Sequence, residues 1–275
     1  MLLFLPLVAC EGPHPAAATL PEATLPVASP APVAAAPVGA DDVRGEVGAG
    51  TTYATPWRER RGAADGPRLI VEAGIHGDEV AGILAADELA ARLEVLSGAV
   101  VFLPRMNKPA ADLGERSVNR DLNHAFPGDP TGKDYEARLA AELMAWVGER
   151  DADAVITLHE SRYLHDGKNP KTFGQTVVYG VEPMPPILTG VLDRANAKAA
   201  EERERFRANY YPITTSSTEQ FVARYGMLGL CLETWRGFPL GTRIRRHEDF
   251  VLALLDALGV AYRMEPPAAT MVSKP

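Results

Sequence analysis

This 275-residue sequence predicts an α/β fold. Strand-like apolar runs alternate with helix-like stretches, a pattern that builds a sheet flanked by helices. Three of the runs, Leu69-Ile70-Val71, Ala154-Val155-Ile156-Thr157-Leu158 and Leu228-Gly229-Leu230-Cys231-Leu232, read as buried strands. The first ends in a sharp turn and feeds a helix, which is where open α/β sheets place their chemistry.

In chain order, candidate strands lie at residues 48–54, 68–73, 99–104, 154–159, 176–179 and 227–233. Candidate helices lie at residues 79–93, 133–149, 185–206, 218–225 and 246–258. The helix at 79–93 starts where the turn after the first buried run ends. Ser216 and Glu219, three residues apart, offer a capping box to the helix at 218–225. The run Glu201-Glu202-Arg203-Glu204-Arg205 reads as a solvated helical face. No internal repeat is present, and roughly 220 residues are enough for a single core.

The domain layout follows from composition. Residues 1–10 are apolar and end in Leu7-Val8-Ala9-Cys10, which resembles the lipobox of bacterial lipoproteins. The resemblance implies a lipid on Cys10 and a membrane-anchored protein of the bacterial cell envelope, facing the periplasm or the exterior. The segment is too short to span a bilayer as a helix and has no positive residues ahead of its apolar core. The expectation is an atypical signal or a start upstream of Met1. Residues 11–44 are rich in Ala and Pro and poor in large apolar side chains, so they read as a disordered tether. Residues 45–262 form the folded domain, and residues 263–275 read as a frayed tail.

His76-Gly77-Asp78-Glu79 carries the first chemical signal. An imidazole on a turn and a carboxylate three residues later, in the first helical turn, can reach one ion, and His plus Glu is a zinc-ligand pair. A third ligand is needed. His159 is the candidate, because it too stands at the end of a buried strand. The chain has only six histidines, so two of them at equivalent strand ends is an informative coincidence. A catalytic zinc keeps a position open for water, and that water needs a base. Glu233, at the tip of the third buried run, is the candidate. A carboxylate there is costly unless paired or functional.

Between these residues lie Arg116 and Asn119-Arg120-Asp121-Leu122-Asn123-His124-Ala125-Phe126-Pro127-Gly128. With Gly74-Ile75-His76-Gly77-Asp78-Glu79, Pro104-Arg105-Met106-Asn107-Lys108-Pro109, Leu158-His159-Glu160 and Leu232-Glu233-Thr234, they make an ordered set of motifs. The set resembles the M14 zinc carboxypeptidase superfamily, and within it the succinylglutamate desuccinylase/aspartoacylase branch, over roughly residues 45 to 262. The resemblance implies a three-layer αβα fold with a mixed, mostly parallel central sheet. It implies one zinc per chain on His76, Glu79 and His159, with Glu233 as general base and then acid. It implies that Arg116 faces the developing oxyanion, that Asn123 contacts the substrate carboxylate, and that Asp121 holds His76 from behind. It departs from the family at His124, where relatives usually place an Arg that clamps a substrate carboxylate. His124 is then expected to shape substrate choice, and Arg120 or Arg236 to be the cations left for the clamp.

Net charge −8 with no basic run argues against a nucleic-acid partner. The two cysteines, Cys10 and Cys231, do not make a disulfide framework, and Cys231 reads as a small buried residue. Two function classes follow. One is a zinc-dependent amide hydrolase acting on an N-acyl amino acid or a short, cell-wall-type peptide. The alternative is a non-catalytic zinc- or ligand-binding lipoprotein on the same fold. Glu233 separates them, because a binding module has no need of a base at that strand tip.

Overall fold

The computed structural model describes residues 41–169 and 171–265. Cys10, the apolar segment 1–10, nearly all of the Ala/Pro-rich stretch and most of the tail lie outside the described residues. The folded domain begins at Asp41, inside the segment expected to be tether, and its last strand ends at Met264, inside the expected tail.

Among the described residues, ten strands and six helices follow one another. They are β1 (Asp41–Val47), β2 (Thr55–Arg61), β3 (Ala64–Ala73), α1 (Val80–Arg92), β4 (Leu93–Val95), β5 (Ser97–Leu103), α2 (Lys108–Leu113), α3 (Tyr135–Gly148), β6 (Ala154–Ser161), β7 (Thr176–Tyr179), α4 (Ile187–Ala197), β8 (Arg207–Tyr210), α5 (Ser217–Tyr225), β9 (Leu228–Trp235), α6 (Leu240–Leu258) and β10 (Tyr262–Met264). Eight strands form one mixed sheet in the order β1-β2-β5-β3-β6-β9-β7-β8, and β4 pairs with β10 apart from it. The centre, β5-β3-β6-β9, is parallel. The outer pairings β1-β2, β2-β5 and β7-β9 are antiparallel.

The central strands are apolar on both faces because helices cover both. Leu69 and Val71 of β3 join a core with Leu89 of α1, Val191 of α4 and Phe250 of α6. Ile70, one residue out of phase, joins a second core with Leu139 and Leu143 of α3 and Phe221 of α5. The result is the expected three-layer architecture. No helix of the described residues is long and apolar enough to cross a membrane.

Several expected elements shift, each for a local reason. Residues 48–54 are not a strand. Gly48 and Gly50 take positive φ and Thr51 bonds back to Gly48, so this stretch is the turn between β1 and β2. Those two strands carry charge in place of apolar alternation. Buried Glu59 is paired with Arg61 and Arg68 at 2.8 and 2.6 Å, and Arg58 forks onto Asp42 at 2.7 Å. The helix expected over 185–206 stops at Ala197, and residues 202–204 form a 3₁₀ turn. Glu204 is therefore no solvated face. It is buried, accepts the Ala200 N–H at 3.1 Å and pairs with Arg245 at 2.9 Å. The last helix starts at Leu240 rather than at 246. Its Arg246 is fully buried and donates to the Ala195 and Glu204 carbonyls and to Asp249.

Glu72 of β3 interrupts the second core. It is wholly buried, accepts one bond from Thr157 Oγ1 at 3.2 Å, and its other oxygen has no partner. Burial pushes its pKa up to about 8. The folded protein thus holds a proton that the unfolded chain releases near the ordinary carboxyl pKa. Stability from this group is full below that ordinary value and declines as pH rises towards 8. Glu72→Gln should flatten the profile between pH 5 and 8 by up to about 1.4 kcal/mol per pH unit. Urea unfolding of wild type and variant across that range measures the difference, and parallel profiles would mean that Glu72 folds already ionised.

Candidate active site

The site stands on the turn between β3 and α1. After Ala73 the chain reverses at Gly74, whose φ of +67° favours glycine, and Met106 and Asn107 donate to the Ala73 and Gly74 carbonyls at 2.8 and 3.0 Å. Gly77 presses so closely on the backbone of Ala110 that a Cβ would overlap it. The loop is thereby held flat against α2, with His76 and Glu79 both buried.

Glu79 occupies the N-cap position of α1 but makes no side-chain cap bond. Glu160 performs that duty from β6, accepting the Ala81 N–H at 3.0 Å while it pairs with Arg243. The Glu79 carboxylate is left to bridge two imidazoles. Its Oε1 lies 2.8 Å from His76 Nδ1, and its Oε2 lies 2.8 Å from His159 Nδ1 and accepts the Glu160 N–H at 3.1 Å. The three side chains offer ligand atoms within 4.8 Å of one another, the one such cluster among the described residues. Two imidazoles and a carboxylate, buried and convergent, are a donor set that suits zinc.

Asp121 supports this cluster from outside. Its Oδ1 lies 3.1 Å from His76 Nε2, and its Oδ2 accepts from Arg116 at 2.9 Å. Burial lowers the His76 pKa, but the Glu79 charge and the bonds to Asp121 and Glu79 outweigh it and carry it up to about 9. Glu79 and Asp121 move the other way. Burial raises both, yet the neighbouring histidines, and for Asp121 also Arg116, hold them well below the usual carboxylate range.

Glu233 enters through strand register. It is the direct neighbour of His159 in the β6–β9 ladder, so both side chains rise from one end of the parallel sheet. Burial, then the Glu79 charge, push its pKa up to about 8. A cation beside Glu79 would offset the second cause.

His76, Glu79, His159 and Glu233 line a cavity of about 460 Å³. Arg116, Asn123, His124 and Arg236 line it as well, and Arg120 is absent from its wall. Arg120 turns instead to the His124 carbonyl and Asp134. Arg116 is half-exposed, 3.6 Å from Glu79, and Arg236 is 2.9 Å from Asp78 and 3.8 Å from Glu79. The Asn123 side-chain oxygen accepts the Ser217 N–H at 3.2 Å, and His124 Nδ1 lies 2.9 Å from Thr215 Oγ1. Cys231 also faces the cavity, partly buried, with its thiol donating to Glu233 at 4.0 Å. Sequence reasoning missed Glu160 and Glu219. The first directly follows His159, and the second was given a capping role.

Comparison with known proteins locates the same segment. The model of the succinylglutamate desuccinylase/aspartoacylase catalytic domain matches residues 65–166. An N-alpha-acetyl-L-2,4-diaminobutyric acid deacetylase of Halomonas elongata is 37% identical over 106 residues, 34% of this chain and 29% of that protein. A succinylglutamate desuccinylase of Yersinia enterocolitica is 34% identical over 116 residues, 38% of this chain and 34% of that protein. The chain thus spans about a third of the length of these relatives. Among solved structures, the product-bound cell shape determinant protein Csd4 of Helicobacter pylori superposes with a TM-score of 0.69 at 22% identity, over 76% of this chain and 56% of that one, and shares the fold. A succinylglutamate desuccinylase/aspartoacylase of Rhodobacter sphaeroides superposes with a TM-score of 0.59 at 26% identity, over 79% of this chain and 63% of that one. The stretch matched by the succinylglutamate desuccinylase/aspartoacylase catalytic-domain model, residues 65–166, carries His76, Glu79 and His159, and there the chain is similar to that family.

Proposed function

We propose that the protein is a zinc-dependent hydrolase that cleaves an amide bond in an N-acyl amino acid or a short peptide. One observation carries the reading. A buried His-Glu-His cluster and a carboxylate with a raised pKa, Glu233, share one end of the parallel strands and open on one cavity. The names of the relatives agree in reaction type. They are a deacetylase and desuccinylases of amino acids, and the structural neighbours include a D,L-carboxypeptidase.

His76, Glu79 and His159 would hold the metal, with Asp121 fixing the His76 ring through Nε2. Zinc, when bound, polarises a carbonyl oxygen and brings the pKa of water to about 7. Glu233 takes the proton of the attacking water and returns it to the leaving amine. Arg116, half-exposed beside the cluster, places its guanidinium where negative charge develops on the carbonyl oxygen. Asn123 and His124 shape the substrate end of the cavity. Of the two arginines left for a carboxylate clamp, Arg236 lines the cavity, and we assign the clamp to it. Lipidation of Cys10 and a place in the cell envelope belong to the same proposal, and rest on the sequence Leu7-Val8-Ala9-Cys10.

Purified protein should carry about one zinc per chain, and His159→Ala should lose most of it. Metal analysis of both decides the ligand set, and equal zinc would remove His159 from it. Glu233→Gln should keep zinc and fold but lose roughly 10²–10⁴-fold in turnover, the usual share of a general base. Hydrolysis at wild-type rates by this variant would sink the assignment. Arg236→Ala should lower kcat/KM for a substrate with a free α-carboxylate about five- to thirtyfold more than for its amide, the worth of one charge-assisted contact. His124→Arg in that background should restore part of the difference. Equal losses on both substrates would make Arg236 a structural partner of Asp78 instead.

A further inference from the structure

The cavity has a second electrical pole that amide hydrolysis leaves without a task. Glu219, the third residue of α5, lines it. A capping box would have its carboxylate accept the Ser216 N–H. Only half of that box forms. Ser216 Oγ accepts the Glu219 N–H at 3.2 Å, while the Ser216 N–H donates to the Ile213 carbonyl at 2.8 Å. The Glu219 carboxylate has no hydrogen bond or ion pair among the described residues. It lies against Gly180, just beyond β7, where a Cβ would collide with its oxygens. Burial alone raises its pKa.

Tyr163, Phe173 and Tyr211 line the same cavity. The Tyr211 N–H donates to the Tyr179 carbonyl at 3.0 Å, which holds Tyr211, just past β8, against the residue that precedes Gly180. The Tyr211 ring meets that of Phe173 edge to face, with centroids 5.2 Å apart. A half-buried carboxylate with no counter-charge, in a cavity that also offers ring faces, suits an alkylammonium group through charge and cation–π attraction. A neutral or acidic ligand group there would leave Glu219 desolvated and unpaired. Arg116 and Arg236, which lie within 4 Å of Glu79 and line the same cavity, suit an anion.

We infer that Glu219 is a specificity-determining residue that binds a free amine of the substrate, so that the preferred substrates are amides of amino acids or peptides bearing a primary amine away from the scissile bond. The inference rests on the reading of the cavity as an amide-hydrolase site, and binding and turnover test the two separately. Calorimetric titration of the zinc-loaded Glu233→Gln protein uses matched pairs of Nα-acetyl amino acids. Lysine is set against norleucine, ornithine against norvaline, and 2,4-diaminobutyrate against 2-aminobutyrate.

At least one amine-bearing member should bind about tenfold more tightly than its neutral partner, and adding Glu219→Gln should bring that ratio close to one. The cap bond uses the backbone N–H of residue 219, so the Gln variant keeps it, and an unchanged unfolding midpoint checks this. No discrimination in any pair, or discrimination that survives Glu219→Gln, overturns the inference. Wild-type protein is assayed for hydrolysis of the same pairs. Amine preference in binding without turnover by wild type would count against the hydrolase reading and leave the role of Glu219 standing.

Discussion

The bridge that Glu79 makes between His76 and His159 is the interaction on which the rest of the site depends. A carboxylate taken wholly out of water is costly unless it is paired and hydrogen-bonded. Glu79 meets that demand with two imidazoles at 2.8 Å and one backbone N–H at 3.1 Å. The arrangement requires that it give up the helix cap that its position offers, and Glu160 takes that role from the neighbouring strand. It also requires that three elements remote in sequence end at one height. The parallel register of β3, β6 and β9 provides this, with Ala73 opposite Leu158 and His159 opposite Glu233.

Charge is layered around that bridge. Asp121 and Asp78 flank the cluster, and Arg116 and Arg236 bind them while staying within 4 Å of Glu79. The arginines are therefore held by acids, yet they still line the cavity. Such a pair presents positive charge in fixed positions and leaves little side-chain entropy to lose when an anion arrives. Val178 and Cys231, paired across β7 and β9, line the same cavity, as do Glu219, Tyr211 and Phe173.

Much of this was legible in the chain, and the failures share a cause. The runs that became β3, β6 and β9 were found because strands buried on both faces have to be apolar. β1 and β2 were missed because their pairing is reinforced by Asp42, Glu59 and a set of arginines, which read as loop. The first three turns of α6 hold Arg243, Arg245 and Arg246, polar by type, yet Arg246 is fully buried because the Ala195 and Glu204 carbonyls receive it. In both places charged side chains are held by specific partners, Arg61 and Arg68 for buried Glu59 and the Ala195 and Glu204 carbonyls for Arg246, and apolar periodicity does not record such pairings.

The sequence by itself determined the order of the central strands and helices along the chain, and the identity and local spacing of the cluster residues. His76 and Glu79 are three residues apart on one turn, and their relation follows from backbone geometry at Gly74 and Gly77. Tertiary structure decided which charges belong to the cavity. Arg236 reaches it through Asp78, 158 residues away, whereas Arg120, only one residue from Asp121, turns outward to Asp134. It also decided that Glu219 faces the cavity instead of closing its own helix cap. The physical reason is the range of the interaction. A turn or a cap is set by neighbours within a few residues, whereas the partner of a buried charge is set by whichever strand or helix the fold lays beside it.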